Sequence, residues 1–128
     1  MVKRVTKAIE AEIEAEATSE KLLRVVFHIN EVEKWPIALG NIRNLLKAKA
    51  AVSVKVVVNG AGITGYLDAQ TVAQMAEIQS KIVGFEACRN ALKGHEISEE
   101  QVPEWVRVVP AGIIRLIELQ PSYAYIKP

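Results

Sequence analysis

The sequence predicts a single α/β domain built on a parallel sheet, and three observations carry that prediction. From residue 22 onward, short β-branched runs alternate with amphipathic stretches, which is the pattern of successive βα units. The runs are nearly continuous in apolar residues, as strands covered on both faces are. The chain has 128 residues, 50% hydrophobic and 24% charged, enough for one packed core but not for a separate substrate domain.

Residues 22–30 (LLRVVFHIN) read as the first strand, expected at the centre of the sheet. Pro36 suits the first turn of a helix whose one face carries Leu39, Ile42, Leu45 and Leu46, with Asn41, Arg43, Asn44 and Lys47 elsewhere. Residues 53–59 (SVKVVVN) form the second strand, and 68–80 the second helix, with Val72, Met75, Ala76 and Gln79 at helical spacing. The third strand is 82–87, followed by a short helix from Arg89 to about Gly94. Ser98 and Gln101 have the spacing of a capping box, with Ile97 and Val102 as its hydrophobic staple, and Pro103 and Trp105 end that turn. Residues 106–110 (VRVVP) form the fourth strand, 111–120 the last helix and 123–127 a last strand.

Residues 1–20 read as an appended helix or arm, separate from a domain over 21–128. Val2, Val5, Ile9 and Ile13 have helical spacing there, but Lys3, Arg4 and Lys7 precede Glu10, Glu12, Glu14 and Glu16. That is the reverse of what the helix dipole favours.

The 16 basic and 15 acidic side chains leave a net charge of +1, too little to steer the molecule to nucleic acid or an anionic membrane. No run reaches the roughly 18 apolar residues of a membrane span, and no secretory signal is recognisable. A cytoplasmic location is therefore expected. Cys88 is the single cysteine and cannot close an intramolecular disulfide, which agrees with a reducing compartment.

In an open α/β sheet the ligand site lies beyond the carboxyl ends of the strands. The residues there are Asn30 and Glu31, Asn59 and Gly60, Cys88, Arg89 and Asn90, and the 110–112 segment ending in Gly112. Cys88 is the strong nucleophile among them. The positive end of the helix beginning near Arg89 favours a thiolate, and Arg89 adds to it. The competing reading is a small buried hydrophobe, since free cysteine is among the most buried residue types.

Gly60, Gly62 and Gly65 spell G-x-G-x-x-G directly after a strand, with Glu86 near the distance of a ribose-binding acid, as in a dinucleotide site. These glycines follow the second strand and not the first, which favours a loop that simply needs glycine. His28 and His95 lie at no metal-ligand spacing from Cys88 or from each other, so neither metal nor cofactor is expected. His28, inside the first strand, reads as a core or interface histidine, Glu31 and Glu33 as solvated, and Trp35 as a packing anchor.

Four blocks in order, HINEVEKWPIALGNIRNLL, VVVNGAGI, GFEACRNALKG and VVPAGIIRLIELQPSYAYIKP, together resemble the DsrE/DsrF-like proteins of sulfur metabolism. The resemblance covers about residues 22–128. It implies a three-layer α/β/α sandwich with a five-stranded parallel sheet, assembled as homotrimers or hexamers, in which a cysteine near this position carries sulfur as a persulfide to a partner. Cys88 matches that role by position.

Two functions from different classes follow. In the first, a sulfurtransferase-like carrier, Cys88 accepts sulfur from a donor protein and passes it to an acceptor, with Asn30, Asn59 and Asn90 lining the pocket. In the second, the 60–65 loop holds a nucleotide or other anion and Cys88 is structural. A homo-oligomer is expected on independent grounds. The last helix carries Ile113, Ile114, Leu116, Ile117 and Leu119, more apolar surface than one sheet-facing stripe needs, and the tyrosines at 123 and 125 add interface character.

Overall fold

A computed structural model describes residues 22–48 and 51–128 of the chain. The expected arm over 1–20 lies outside the described residues. The elements are β1 (Leu23–Ile29), α1 (Trp35–Ala48), β2 (Val52–Val58), α2 (Ala69–Ile78), β3 (Val83–Cys88), α3 (Arg89–Gly94), β4 (Arg107–Val109), α4 (Gly112–Leu119) and β5 (Ala124–Ile126). Short 3-10 segments at Val32–Lys34, Gly60–Leu67 and Glu99–Gln101 join them.

All five strands are parallel, in the order β4-β3-β2-β1-β5. The first three crossovers each step one strand further along the sheet, so right-handed connections keep their helices on one face. The last crossover returns over the opposite face and sets β5 beside β1. The fold is therefore a three-layer α/β/α sandwich. The centre belongs to β2, however, and β1 lies one strand in from the edge, because three residues of β5 are added beyond it.

Strand alternation divides the core in two. Val25, Phe27 and Ile29 of β1, Val54, Val56 and Val58 of β2, and Val83, Phe85 and Ala87 of β3 point to the thick layer. There they meet Trp35, Ala38, Leu39 and Ile42 of α1, with Met75 and Leu92. Trp35 anchors this layer. Its Nε1–H donates to the Gly62 carbonyl at 2.8 Å, and its ring meets Tyr66 edge-on at 5.4 Å.

Several local signals act as expected. The Asp68 side chain caps α2 by accepting from the Thr71 backbone N–H at 2.9 Å. The Ser98 N–H donates to Gln101 Oε1 at 2.8 Å, and Ile97 and Val102 are buried in the core.

The opposite face has α4 as its one described helix. Leu116 and Leu119 cover Val26 and Val57, with Tyr123 at the margin. The other side of α4 exposes Ile113 (60%), Ile114 (56%) and Ile117 (62%). The five apolar residues of this helix thus divide: two in the core, three outward.

Candidate functional site

The site is assembled by strand parity. On the α4 face the carboxyl ends of β1, β2 and β3 present Asn30, Asn59 and Cys88, and the residues two positions earlier are His28, Val57 and Glu86. The β1–β5 register places Tyr125 beside Val26, so Tyr125 joins the same face next to His28.

Cys88 is the last residue of β3 and the N-cap position of α3, 6% exposed. Gly112, the first residue of α4, packs directly above it. A Cβ at Gly112 would lie 3.2 Å from Asn59 Cβ, 3.3 Å from Cys88 Cβ and 3.4 Å from Asn59 Nδ2. Glycine is needed here so that the helix start can approach the strand ends closely. Asn59, Cys88 and Gly112, all inferred from the sequence, converge in one corner.

A hydrogen-bonded chain leads into that corner. Tyr125 Oη lies 2.6 Å from His28 Nδ1, and His28 Nε2 lies 2.8 Å from Asn59 Oδ1. His28 and Tyr125 also line a groove of about 300 Å³ beside α4, with Ile113, Leu116, Ile117 and Gln120. In the sequence His28 reads as a core or interface histidine and Tyr125 as an interface residue, so neither is marked for the site. Alternation from Asn30 would have placed His28 on the site face, but the position of Tyr125 depends on a pairing 97 residues apart.

The other candidates have different partners. The Asn30 side chain accepts from Lys127 Nζ at 2.8 Å, at the rim. Glu31 is exposed, and its carbonyl accepts from the Lys34 N–H at 3.1 Å. Arg89 directs its Nε to Glu99 Oε2 at 2.6 Å, so its charge is shared with a carboxylate. Asn90 is exposed on α3.

The glycine segment is a 3-10 turn with packing reasons for each glycine. Gly60 adopts φ +53°, and its Cβ would press on the Asn30 carbonyl at 3.1 Å. A Cβ at Gly62 would lie 2.8 Å from the Ile29 carbonyl oxygen, and one at Gly65 would enter the Trp35 ring. Glu86, the ribose-acid candidate, is buried and bidentate to Arg115, at 2.7 and 3.0 Å. That hydrogen bonding holds the Arg115 guanidinium above its ordinary pKa.

Tyr66 lies under the same strand and donates to the Glu86 carbonyl at 2.9 Å. Burial, and then the nearby Glu86 charge, push its hydroxyl well above the ordinary tyrosine range. Among the described residues no three His, Cys, Asp or Glu side chains converge as a metal site, and no helix is long and apolar enough to cross a membrane.

No family model and no curated protein matches the chain. Among solved structures it is similar to the protein of unknown function MTH1491 from Methanobacterium thermoautotrophicum. The two share 30% identity over 83% of this chain and 99% of that one, with a TM-score of 0.76. The chain belongs to the MTH1491 family. The match covers nearly all of MTH1491, so the similarity is one of whole folds and not of a single shared βα unit.

Proposed function

We propose that this member of the MTH1491 family is a persulfide carrier acting through Cys88. The observation that carries the reading is the corner itself, where a thiol, the Asn59 amide and a glycine at a helix start meet at the carboxyl ends of two adjacent parallel strands. The resemblance of four sequence blocks to DsrE/DsrF-like proteins supports the same role for this cysteine.

The chemistry is an exchange at sulfur. The Cys88 thiolate attacks the outer sulfur of a donor persulfide, R–S–SH. A Cys88–S–SH bond forms, the donor S–S bond breaks, and the donor leaves as the thiolate R–S⁻. An acceptor thiolate then takes the outer sulfur by the same step in reverse. The backbone N–H groups opening α3 follow Cys88 directly, and its side chain makes no cap hydrogen bond to them.

Intact mass spectrometry after incubation with a small-molecule persulfide tests this. The expected result is a gain of one sulfur atom, lost on reduction and absent in Cys88→Ala. An unmodified wild-type mass defeats the carrier reading. The alternative, a nucleotide held by the 60–65 segment, has less support, because its glycines serve packing and its acid is paired with Arg115. Calorimetric binding of a nucleotide by a protein that takes no sulfur would reverse the preference.

We also propose that a second copy of the chain covers the outward face of α4, in the trimer or hexamer that the resemblance implies. The exposed isoleucines at 113, 114 and 117 support it, since closed symmetric homo-oligomers commonly bury such faces.

A further inference from the structure

We infer that His28 and Tyr125 are positioning residues for Cys88, acting through the side-chain amide of Asn59. The purpose of this arrangement rests on the carrier reading; its geometry does not.

Asn59 Oδ1 has no hydrogen to give, so at 2.8 Å it accepts from His28, and Nε2 carries the hydrogen. In the neutral ring Nδ1 is then a bare acceptor, and the Tyr125 hydroxyl at 2.6 Å donates to it. Tyr125 thereby satisfies the remaining ring nitrogen and holds the imidazole in place, while the acceptor-only oxygen of Asn59 sets the tautomer. With its oxygen held by His28, the Asn59 amide turns its NH₂ group the other way. Nδ2 accordingly lies 3.4 Å from the Cβ position of Gly112, which is itself 3.3 Å from Cys88 Cβ.

The consequence is electrostatic. An asparagine free to rotate could offer either end of its amide to the corner. The NH₂ end stabilises a thiolate or persulfide anion, whereas the carbonyl end repels it. His28 therefore decides the sign of the Asn59 dipole at Cys88. No other side chain is hydrogen-bonded to Asn59 Oδ1 among the described residues.

The test is the rate of Cys88 alkylation by iodoacetamide in the full-length protein at one near-neutral pH. Loss of the His28 hydrogen bond frees the Asn59 amide to rotate, and His28→Phe is expected to slow the reaction by roughly tenfold. His28→Gln retains a side-chain N–H for Asn59 Oδ1 and is expected to recover most of the rate, while Tyr125→Phe falls between. A wild-type rate in His28→Phe, or His28→Gln as slow as His28→Phe, overturns the inference.

Nitrogen NMR of the wild-type imidazole provides a second measurement that needs no substitution. The Nε2–H tautomer is expected; an Nδ1–H tautomer would mean that Asn59 turns its oxygen to Cys88, and would overturn the inference as well. Failure of the carrier reading is distinguished by the wild-type mass spectrum. No sulfur uptake with the expected alkylation order removes the carrier and keeps the positioning role; uptake without that order removes the positioning role alone.

Discussion

Gly112 shows how little room the corner around Cys88 has. Gly112→Ala would bring a methyl group 3.2 Å from one side chain and 3.3 Å from another, and both side chains follow or end hydrogen-bonded strands. The expected cost is about 1–3 kcal/mol by denaturant unfolding, as for overpacked cores, together with slower alkylation of Cys88; unchanged stability would show that α4 shifts freely. Tyr66 gives a pH dependence of definite sign. Its hydroxyl is held protonated by burial and by Glu86, so the folded state binds its proton more tightly than the unfolded state does. That contribution is complete below the ordinary tyrosine pKa of about 10 and is lost as pH rises above it. Denaturant unfolding across that alkaline range should show stability falling with pH, and falling less in Tyr66→Phe; parallel profiles would remove Tyr66 as the cause. At this scale the sequence revealed Asn59, Cys88 and Gly112, because each directly follows or ends a recognisable strand. It did not reveal His28 or Tyr125 as partners of that corner, since a histidine inside a strand declares no face until the neighbouring register is known. The opposed glutamate and arginine at 86 and 115 were hidden for the same reason.

The elements explain where that pair comes from. In β3, Val83, Phe85 and Ala87 turn to the thick layer and Glu86 to the thin one, where Arg115 on α4 reaches it with only 16% of its side chain exposed. A buried pair of this kind is costly to break and much less costly to replace. Arg115→Met should therefore destabilise the fold by about 3 kcal/mol by leaving the Glu86 carboxylate unpaired, while the double substitution Glu86→Leu with Arg115→Met should recover most of that loss. Equal denaturant midpoints for the single and double variants would show that the pair is not coupled in the way its geometry implies. Strand and helix positions were largely legible, because β-branched runs and amphipathic spacing are local properties. The boundaries differ by a residue or two, which moved Cys88 from the residue after β3 to its last one. The 60–67 segment was not legible. Its glycines suggested a flexible or ligand-holding loop, whereas Gly62 and Gly65 are small because Ile29 and Trp35 occupy the space beside them.

At the scale of the whole fold, the described residues cover the two faces of the sheet unequally, and this follows from strand order. Three successive crossovers load α1, α2 and α3 onto one face, and the single return to β5 brings α4 to the other. One helix of eight residues covers Val26 and Val57 and leaves its outer isoleucines exposed. The expectation of excess apolar surface on this helix rested on composition, and the structure assigns its members: Leu116 and Leu119 belong to the core, so substitutions there cannot report on an interface. Ile114 and Ile117 can. Light scattering at micromolar concentration should give a mass that is a multiple of 14.1 kDa, and Ile114→Glu with Ile117→Glu should reduce it to the single-chain value without loss of folded structure. Leu119→Glu should instead unfold the protein, because it places a charge on the buried side of α4. An exposed control such as Lys47→Glu should leave the mass unchanged. A wild-type mass of 14.1 kDa would remove the second copy from this face and leave the isoleucines to be covered within one chain. A multimeric mass that survives both isoleucine substitutions would move the interface elsewhere on the molecule.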